Sequence, residues 1–90
     1  MLKIKYEASF KNDFKRIVKR GYNILLIEEV ITLLANEQPL PPKNKDHKLN
    51  GDYEGFRECH ITPDWLLVYT INTTELILKL TRTGTHSDLF

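Results

Sequence analysis

Cysteine is scarce in this sequence of 90 residues, and Cys59 is the only one. A single thiol cannot form an intrachain disulfide, and it cannot assemble a thiolate metal cluster. The spacings H-x-E-H and H-E-x-x-H, which are typical of zinc sites, are absent as well. The sequence therefore excludes a disulfide scaffold, and it fits a reducing compartment, which we expect to be the cytoplasm.

Long apolar runs are also missing. Residues 2–7 alternate between apolar and charged side chains, so they lack the continuous apolar stretch of a signal peptide or a membrane helix. No repeat or low-complexity tract interrupts the chain. A hydrophobic fraction of 41% with 28% charged residues is typical of a globular protein. We expect one small domain, residues 1–90, in water and with no membrane partner.

A strong net charge is the third absence. Lysine and arginine total 13 against 12 acidic residues, which gives +1 and does not by itself indicate a nucleic-acid binder. The charge is nevertheless unevenly distributed, because residues 1–50 hold ten basic and six acidic residues and residues 51–90 hold three and six. This asymmetry is compatible with a basic patch that the net charge conceals.

The periodicity of the first half predicts a strand and two helices. Residues 2–7 have period two, whereas from Ser9, a candidate N-cap, apolar residues recur at helical spacing until Gly21. Asn23 can cap a second helix with its own apolar stripe. Because only a short connection separates the two segments, we expect an antiparallel helical hairpin.

The second half is predicted to form strands. After prolines 39, 41 and 42, a polar run at residues 43–48 is typical of an exposed loop. Strands are then expected at residues 55–61, 65–71 and 75–82, joined by short turns as an antiparallel meander. Leu76, Leu78 and Leu80 share one face of the last strand, which we expect the helices to cover. The expected fold is α+β, with the order β-α-α-β-β-β and a helical hairpin on one face of a small antiparallel sheet.

Three histidines, His47, His60 and His86, lie near strand ends or in loops. Strand parity places Glu58 and His60 on one face, away from the core, and Cys59 on the other. The turn after residue 61 is expected to bring Asp64 and Trp65 close to His60. These side chains are therefore candidates for one solvent-facing site.

Imidazoles suit acid-base chemistry without a cofactor. Their unperturbed pKa of about 6.5 allows one to act as base and another as acid near neutral pH. Such a pair suits RNA cleavage, in which a 2′-hydroxyl attacks the adjacent phosphate, and Arg82 is the nearest candidate cation for the phosphorane. Spacing alone leaves the reaction undecided.

Each candidate also has a purely structural explanation. Exposed histidines are often only solvated, Trp65 and Phe90 are more often packing residues than base-stacking platforms, and a basic helix face is usually a solvated surface. Cys59 is expected in the core, because adjacent strand residues such as His60 point to the opposite face. Residues 87 and 88 resemble a helix cap or turn.

Four stretches resemble the YafQ branch of the RelE/ParE toxin superfamily. They are KDHKLNG at residues 45–51, GFRECHI at 55–61, PDWLLVY at 63–69 and RTGTHSDLF at 82–90. The N-terminal strand and helix pair match by pattern and length, so the resemblance extends over effectively the whole domain.

The resemblance implies a bacterial type II toxin that is an endoribonuclease and cuts translated mRNA in the ribosomal A site. A cognate antitoxin is implied as partner, a small dimeric DNA-binding protein with a disordered tail that masks the site. Contact with promoter DNA is then expected only through the antitoxin. No cofactor and no metal are needed in the implied reaction.

By position, the resemblance assigns functional roles to seven residues: His47, His60, Asp64, Trp65, Arg82, His86 and Phe90. Glu58 stands where an aspartate is usual in the family. We expect His86 to be the general acid, His60 or His47 the base, Glu58 or Asp64 the group that orients an imidazole, and Arg82 the phosphorane-stabilising cation. Bases are expected to stack on Trp65 and Phe90. Six lysines are expected to meet RNA phosphates: Lys11, Lys15, Lys19, Lys43, Lys45 and Lys48.

An alternative comes from a sister branch of the same superfamily, whose members poison DNA gyrase without chemistry. Fold alone does not separate a nuclease from a protein-binding toxin. The histidines favour the nuclease, because a gyrase-binding toxin leaves all three without a role.

Overall fold

A computed structural model describes all residues, 1–90, and contains five strands and three α-helices. The N-terminal part forms β1 (Lys3–Tyr6), α1 (Ala8–Lys19) and α2 (Ile24–Ala35), followed by a 3-10 turn at Pro42–Asn44. The C-terminal part contains the remaining elements: β2 (His47–Lys48), a 3-10 turn at Gly51–Tyr53, β3 (Arg57–Thr62), β4 (Trp65–Asn72), β5 (Ile77–Gly84) and α3 (His86–Leu89). The α+β class and the order of the six expected elements are confirmed, with β2 and α3 in addition.

The sheet has the strand order β1-β5-β4-β3-β2 and is mixed. The meander β3-β4-β5 is antiparallel, as expected, but β1 runs parallel to β5, with Lys3 opposite Ile77. The expectation of a purely antiparallel sheet is therefore wrong for this edge strand. A period of two identifies a strand but not its neighbour, and here the long connection from β1 to β5, which comprises the helical hairpin and β2 to β4, allows a parallel pair.

The helix boundaries follow from local chemistry. The Asn23 side chain accepts a hydrogen bond from the Leu25 amide (3.1 Å), so the predicted cap of α2 is confirmed. Gly21 has a φ of +76°, which suits glycine after the last residues of α1. Ser9, however, is not the N-cap of α1, because the helix begins one residue earlier and the Ser9 hydroxyl donates to the Thr81 carbonyl (2.6 Å). This bond ties α1 to β5.

The two faces of the sheet carry different apolar clusters. The larger lies under the helical hairpin and includes Cys59 and Leu67, while a smaller cluster of Leu66, Val68 and Leu89 lies on the opposite face. Because Leu89 belongs to α3, this short helix packs on the face that the hairpin leaves uncovered. Leu76 differs from its expected place on the covered face: it has a φ of +59° in the β4–β5 turn and is half exposed.

Candidate active site

Two imidazoles meet one carboxylate on the face opposite the helical hairpin. His47 in β2 pairs directly with Glu58 in β3, and His47 Nε2 lies 3.5 Å from Glu58 Oε1. His60 Nε2 lies 4.0 Å from the same oxygen, and the two imidazole centroids are 6.3 Å apart. His47 reaches this position because residues 47 and 48, expected in a loop, add a short strand to the sheet edge. The predicted proximity of Glu58, His47 and His60 is present in the structure.

Backbone carbonyls orient both rings. His47 Nδ1 lies 2.7 Å from the Lys45 carbonyl oxygen, and His60 Nδ1 lies 3.3 Å from that of Pro63. A carbonyl oxygen only accepts hydrogen bonds, so each Nδ1 donates its hydrogen. Nε2 is then the nitrogen of each ring that can exchange a proton with a substrate. The Lys45 carbonyl is placed by a left-handed turn at Lys45, with a φ of +45°.

Glu58 is nearly buried although it faces away from the main core. Its exposed fraction is 6%, and its Oε2 has no hydrogen-bond partner in the protein. A buried carboxylate oxygen without a partner is unusual, because its desolvation is not offset. Glu58 Oε2 is therefore left without a hydrogen-bond donor, while Oε1 lies beside the two imidazoles.

Two residues that the sequence did not single out hold the histidine-bearing segments. Asp46 accepts hydrogen bonds from the Tyr69 hydroxyl and from Arg57 (2.9 Å) just before His47. Burial, together with this bond, raises the pKa of Tyr69 above its ordinary value, and the bond to Asp46 raises the pKa of Arg57. Buried Asn44 donates to the His60 carbonyl (2.7 Å). The only sequence signal was their place beside His47 in the polar loop.

Arg82 is paired within the protein. Its Nε and Nη2 donate to Asp13 of α1 at 2.6 and 3.3 Å, and this bonding raises the pKa of Arg82. Arg82 lies opposite Val68, which in turn lies opposite Glu58, so the three belong to one row across the sheet. Asp13 was missed, although it occupies the i+3 position of the apolar stripe that begins at Phe10, where a charged residue signals a buried partner.

His86 and Phe90 flank the same face at the end of β5. His86 is the first residue of α3 and is exposed, and its ring centroid lies 5.2 Å from that of Phe90. Phe90 is about half exposed and also contacts Tyr53, at 5.3 Å between centroids. Because Leu89 of the same helix packs on Leu66, and Leu66 pairs with His60, α3 lies on the histidine-bearing side of the sheet.

Trp65 requires a correction. It is 2% exposed, its indole N–H donates to the Thr83 hydroxyl (2.8 Å), and its ring meets Tyr22 edge-on. Its face is therefore closed to an RNA base. The physical reason is parity, since Trp65 alternates with Leu66 and so shares the helix-covered side with Leu67, and the register shift between His60 and Thr62 does not alter this.

Asp64 and the helix lysines are not brought to the imidazoles. Asp64 is exposed in the β3–β4 turn and forms no hydrogen bond or ion pair within the chain, so only Glu58 contacts His60 as a carboxylate. Lys11 and Lys15 line a groove of about 450 Å³ between α1 and α2, on the layer that covers the other face. The other four predicted lysines are all exposed. Lys45 and Lys48 are close to His47 in the chain, whereas Lys19 is in α1 and Lys43 is in the first 3-10 turn.

Cys59 lies in the main core, as expected from strand parity. It is fully buried, and burial raises the pKa of its thiol to about 12. A thiol with that pKa is a poor nucleophile near neutral pH. No group of three or more histidine, cysteine, aspartate or glutamate residues is arranged to hold a metal ion. No helix has both the length and the apolar character that crossing a bilayer requires.

Comparisons with known proteins identify similar toxins. The mRNA interferase toxin YafQ of Escherichia coli (strain K12) is 40% identical over 88 residues, which cover 97% of this chain and 94% of that protein. A crystal structure of a metal-bound toxin from Helicobacter pylori is 50% identical, with a TM-score of 0.94 and 100% of both chains covered. The toxin in the crystal structure of the E. coli DinJ-YafQ complex is 37% identical, with a TM-score of 0.91 over 100% of this chain and 99% of that one.

The family model that matches the chain gives the same result over nearly its full length. That model describes the bacterial toxin of type II toxin-antitoxin systems, YafQ, and it matches residues 2–90. The matched range contains His47 and His60 beside Glu58, and also His86 and Phe90. The chain therefore belongs to the YafQ family of toxins of bacterial type II toxin-antitoxin systems.

Proposed function

We propose that this protein is an endoribonuclease that cleaves mRNA by histidine acid-base catalysis. The observation that supports it most directly is the pair of imidazoles, His47 and His60, that share the buried carboxylate of Glu58 on an open face of the sheet. The relative from E. coli, whose name describes it as an mRNA interferase, supports the same substrate class.

In the proposed reaction, Nε2 of His60 or His47 takes the proton of a ribose 2′-hydroxyl. The hydroxyl oxygen bonds to the adjacent phosphorus, and the bond from phosphorus to the 5′-oxygen breaks. His86 donates a proton to that leaving oxygen. The products are a 2′,3′-cyclic phosphate and a 5′-hydroxyl, so protons and bonds balance without an added reagent.

Charge on the pentavalent phosphorus is offset by Arg82. Asp13 occupies Nε and Nη2 of this guanidinium, which leaves Nη1 for a phosphate oxygen. A guanidinium whose orientation is already set by a carboxylate loses little freedom on binding. Glu58 Oε1 lies beside Nε2 of both imidazoles, so it stabilises the imidazolium that forms when one of them takes the proton.

The RNA is expected to run along the same face. Phe90, half exposed beside His86 and Tyr53, offers a ring on which a splayed base can stack. Lys45 lies just before His47 and is proposed to meet a phosphate, which gives binding a steep salt dependence. Lys48 pairs with Arg57 and therefore projects from the opposite face of β2, so it is proposed to meet RNA further away. Lys11, Lys15, Lys19 and Lys43 are proposed to meet ribosomal RNA further away, with the ribosomal A site as the place of cleavage.

The partner proposed for this chain is a cognate antitoxin. The E. coli relative was crystallised as a DinJ-YafQ toxin-antitoxin complex, which supports this class of partner. We propose that it is a small dimeric DNA-binding protein, that promoter DNA is reached only through it, and that toxin and antitoxin meet in the cytoplasm.

The test is a map of mRNA ends after brief induction, made by primer extension with and without ongoing translation. Stops within codons that appear only during translation support cleavage on the ribosome. Stops that are the same in both arms support cleavage of free RNA. Growth arrest with no new mRNA ends would contradict the nuclease and favour a protein-binding toxin.

The catalytic roles are tested by His86→Ala and His60→Ala. Loss of an acid or base is expected to lower the cleavage rate about 10²- to 10⁴-fold while the fold and antitoxin binding persist. The matched control is Lys79→Ala, which removes a β5 cation that pairs with Glu7. This variant should retain full activity. Cleavage by the wild type is expected to survive EDTA and to leave a cyclic phosphate; inhibition by EDTA would refute the metal-free scheme.

A further inference from the structure

The C-terminal helix that carries His86, α3, is too short to be stable without contacts to the rest of the protein. α3 has four residues, which is about one turn, and isolated helices of that length are unstable in water because nucleation is unfavourable. One side of it is supported by Leu89, which is buried on Leu66 and Val68. His86 and Phe90 themselves are exposed, so their positions depend on what else restrains the helix.

The second restraint is an ion pair with the far end of α1. Arg20 Nη1 donates to Asp88 Oδ2 at 2.6 Å and Nη2 donates to Oδ1 at 3.0 Å, which is the paired geometry that makes arginine-carboxylate contacts strong and directional. Arg16 adds a longer contact at 4.0 Å. Arg20 lies 68 positions before Asp88 in the chain, so this contact joins two elements that are distant in sequence.

Asp88 also closes the N-terminus of α3. Its Oδ2 accepts from the Thr85 amide (2.9 Å), and its own amide donates to the Thr85 hydroxyl (3.2 Å). Gly84 allows this approach, because a Cβ at that position would stand 2.9 Å from Asp88 Oδ2. Asp88 therefore couples the cap next to His86 with the guanidinium of Arg20, the residue that caps the C-terminus of α1.

Arg20 forms no hydrogen bond or ion pair with His86, so any effect on that ring must pass through Asp88 and α3. We propose that Arg20 is a positioning residue: its ion pair with Asp88 sets the place of α3, and with it the distance of His86 from the leaving oxygen. This inference rests on the proposed function, in which His86 is the general acid, and it assigns a specific support to that group.

The first experiment measures cleavage by Arg20→Ala, Arg20→Lys and the control Lys79→Ala under single-turnover conditions. Misplacement of a catalytic group by a distant substitution costs up to about 10²-fold, so we expect Arg20→Ala to cleave about 10- to 100-fold more slowly. The KM is expected to change less than about twofold, since binding surfaces are intact. Arg20→Lys should recover part of the rate, because one ammonium can replace one of the two hydrogen bonds. A KM effect alone would overturn the proposal.

The second experiment is a double-mutant cycle with His86→Ala. If Arg20 acts through His86, adding Arg20→Ala to His86→Ala lowers the residual rate no further. A further fall of the same factor as in the wild-type background would overturn the proposal, because Arg20 then acts on the RNA directly. If His86→Ala itself has no effect, the proposed acid role fails; if His86→Ala is inactive and Arg20→Ala is fully active, only the present inference fails.

A structural measurement completes the test. Asp88→Asn keeps a side-chain oxygen for the Thr85 amide but removes the charge that Arg20 binds. We expect both Asp88→Asn and Arg20→Ala to speed hydrogen exchange at the Leu89 and Phe90 amides and to shift the NMR signals of the His86 ring, while amides of β4 exchange at the wild-type rate. Unchanged exchange at α3 in both variants would overturn the proposal.

Discussion

Replacing Asp13 by alanine is expected to destabilise the fold by about 3 kcal/mol. The Asp13 carboxylate is buried and accepts hydrogen bonds from the Thr83 amide (3.1 Å), from Arg82 and, more weakly, from Arg16. Thr83 is fully buried, so its amide loses its partner without access to water, at a cost of about 1–3 kcal/mol. The Arg82 side chain is 26% exposed and can rehydrate in part, which limits its own loss to about 1 kcal/mol.

This loss is large for a domain of this size, whose total stability is about 5–13 kcal/mol at the usual value per residue. The melting temperature should fall by about 12–24 °C, and chemical denaturation should give the same ranking. Asp13→Asn retains an acceptor for Thr83 and should lose about half as much. Asn12→Ala, at the neighbouring exposed position of α1, is the control and should stay within about 0.5 kcal/mol of the wild type. An Asp13→Ala midpoint equal to that of the control would refute this account of Asp13.

Three further outcomes are expected. Because burial raises the pKa of Cys59 to about 12, an aromatic disulfide reagent at pH 8 should label it only as fast as the protein unfolds, and rapid labelling of folded protein would contradict its burial. Hydrogen bonds from Arg20 and, to a smaller extent, from Thr85 lower the pKa of Asp88. The ionised carboxylate therefore stabilises the fold fully above pH about 4, and this stabilisation is lost as the pH falls further. The difference in unfolding free energy between wild type and Asp88→Asn should shrink between pH 7 and pH 3. Trp65→Phe should cost about 1–2 kcal/mol in unfolding free energy and leave the KM for RNA unchanged, whereas a raised KM with unchanged stability would restore a stacking role.

Local sequence chemistry predicts most of the secondary structure. The apolar spacing before Gly21 and the cap at Asn23 both give correct helix boundaries, because those signals act within a few residues. Strand parity likewise places Cys59 and Glu58 on their observed faces. Features that depend on interactions within a few residues can therefore be predicted from one sequence.

Long-range pairing is what the pattern leaves open. β1 could be recognised as a strand, but its parallel partner β5 is the last strand of the chain, and no local pattern links the two. β2 is only two residues long and lies in a lysine-rich segment, so no alternation marks it. Asp13 and Asp88 are ordinary surface residues by composition, and only the approach of Arg82 and Arg20 in three dimensions gives them a structural role.

For the candidate site, the residue types were predicted better than their contacts. His47, Glu58 and His60 do gather, because parity and the meander bring them to one face. Trp65 was predicted to lie at the site because it is close to His60 in sequence. Its position in the alternation of β4, however, places its side chain in the core. Sequence proximity across a turn is thus a weaker guide than the alternation of the strand to which a residue belongs.

The parallel pairing of β1 with β5 has a consequence for how the protein is made. Lys3 is synthesised long before Ile77, the residue that lies opposite it in the sheet, and before Leu76, whose carbonyl accepts the hydrogen bond of the Lys3 amide. Such non-local contacts form late, because the entropy cost of closing a long loop must be met before the contact contributes any stabilisation. The nascent chain therefore cannot close its sheet until β5 is available, and the arginine and histidine carried by β5 and α3 arrive last. The folded sheet, and with it the face that carries the histidines, therefore cannot exist before β5 has been synthesised.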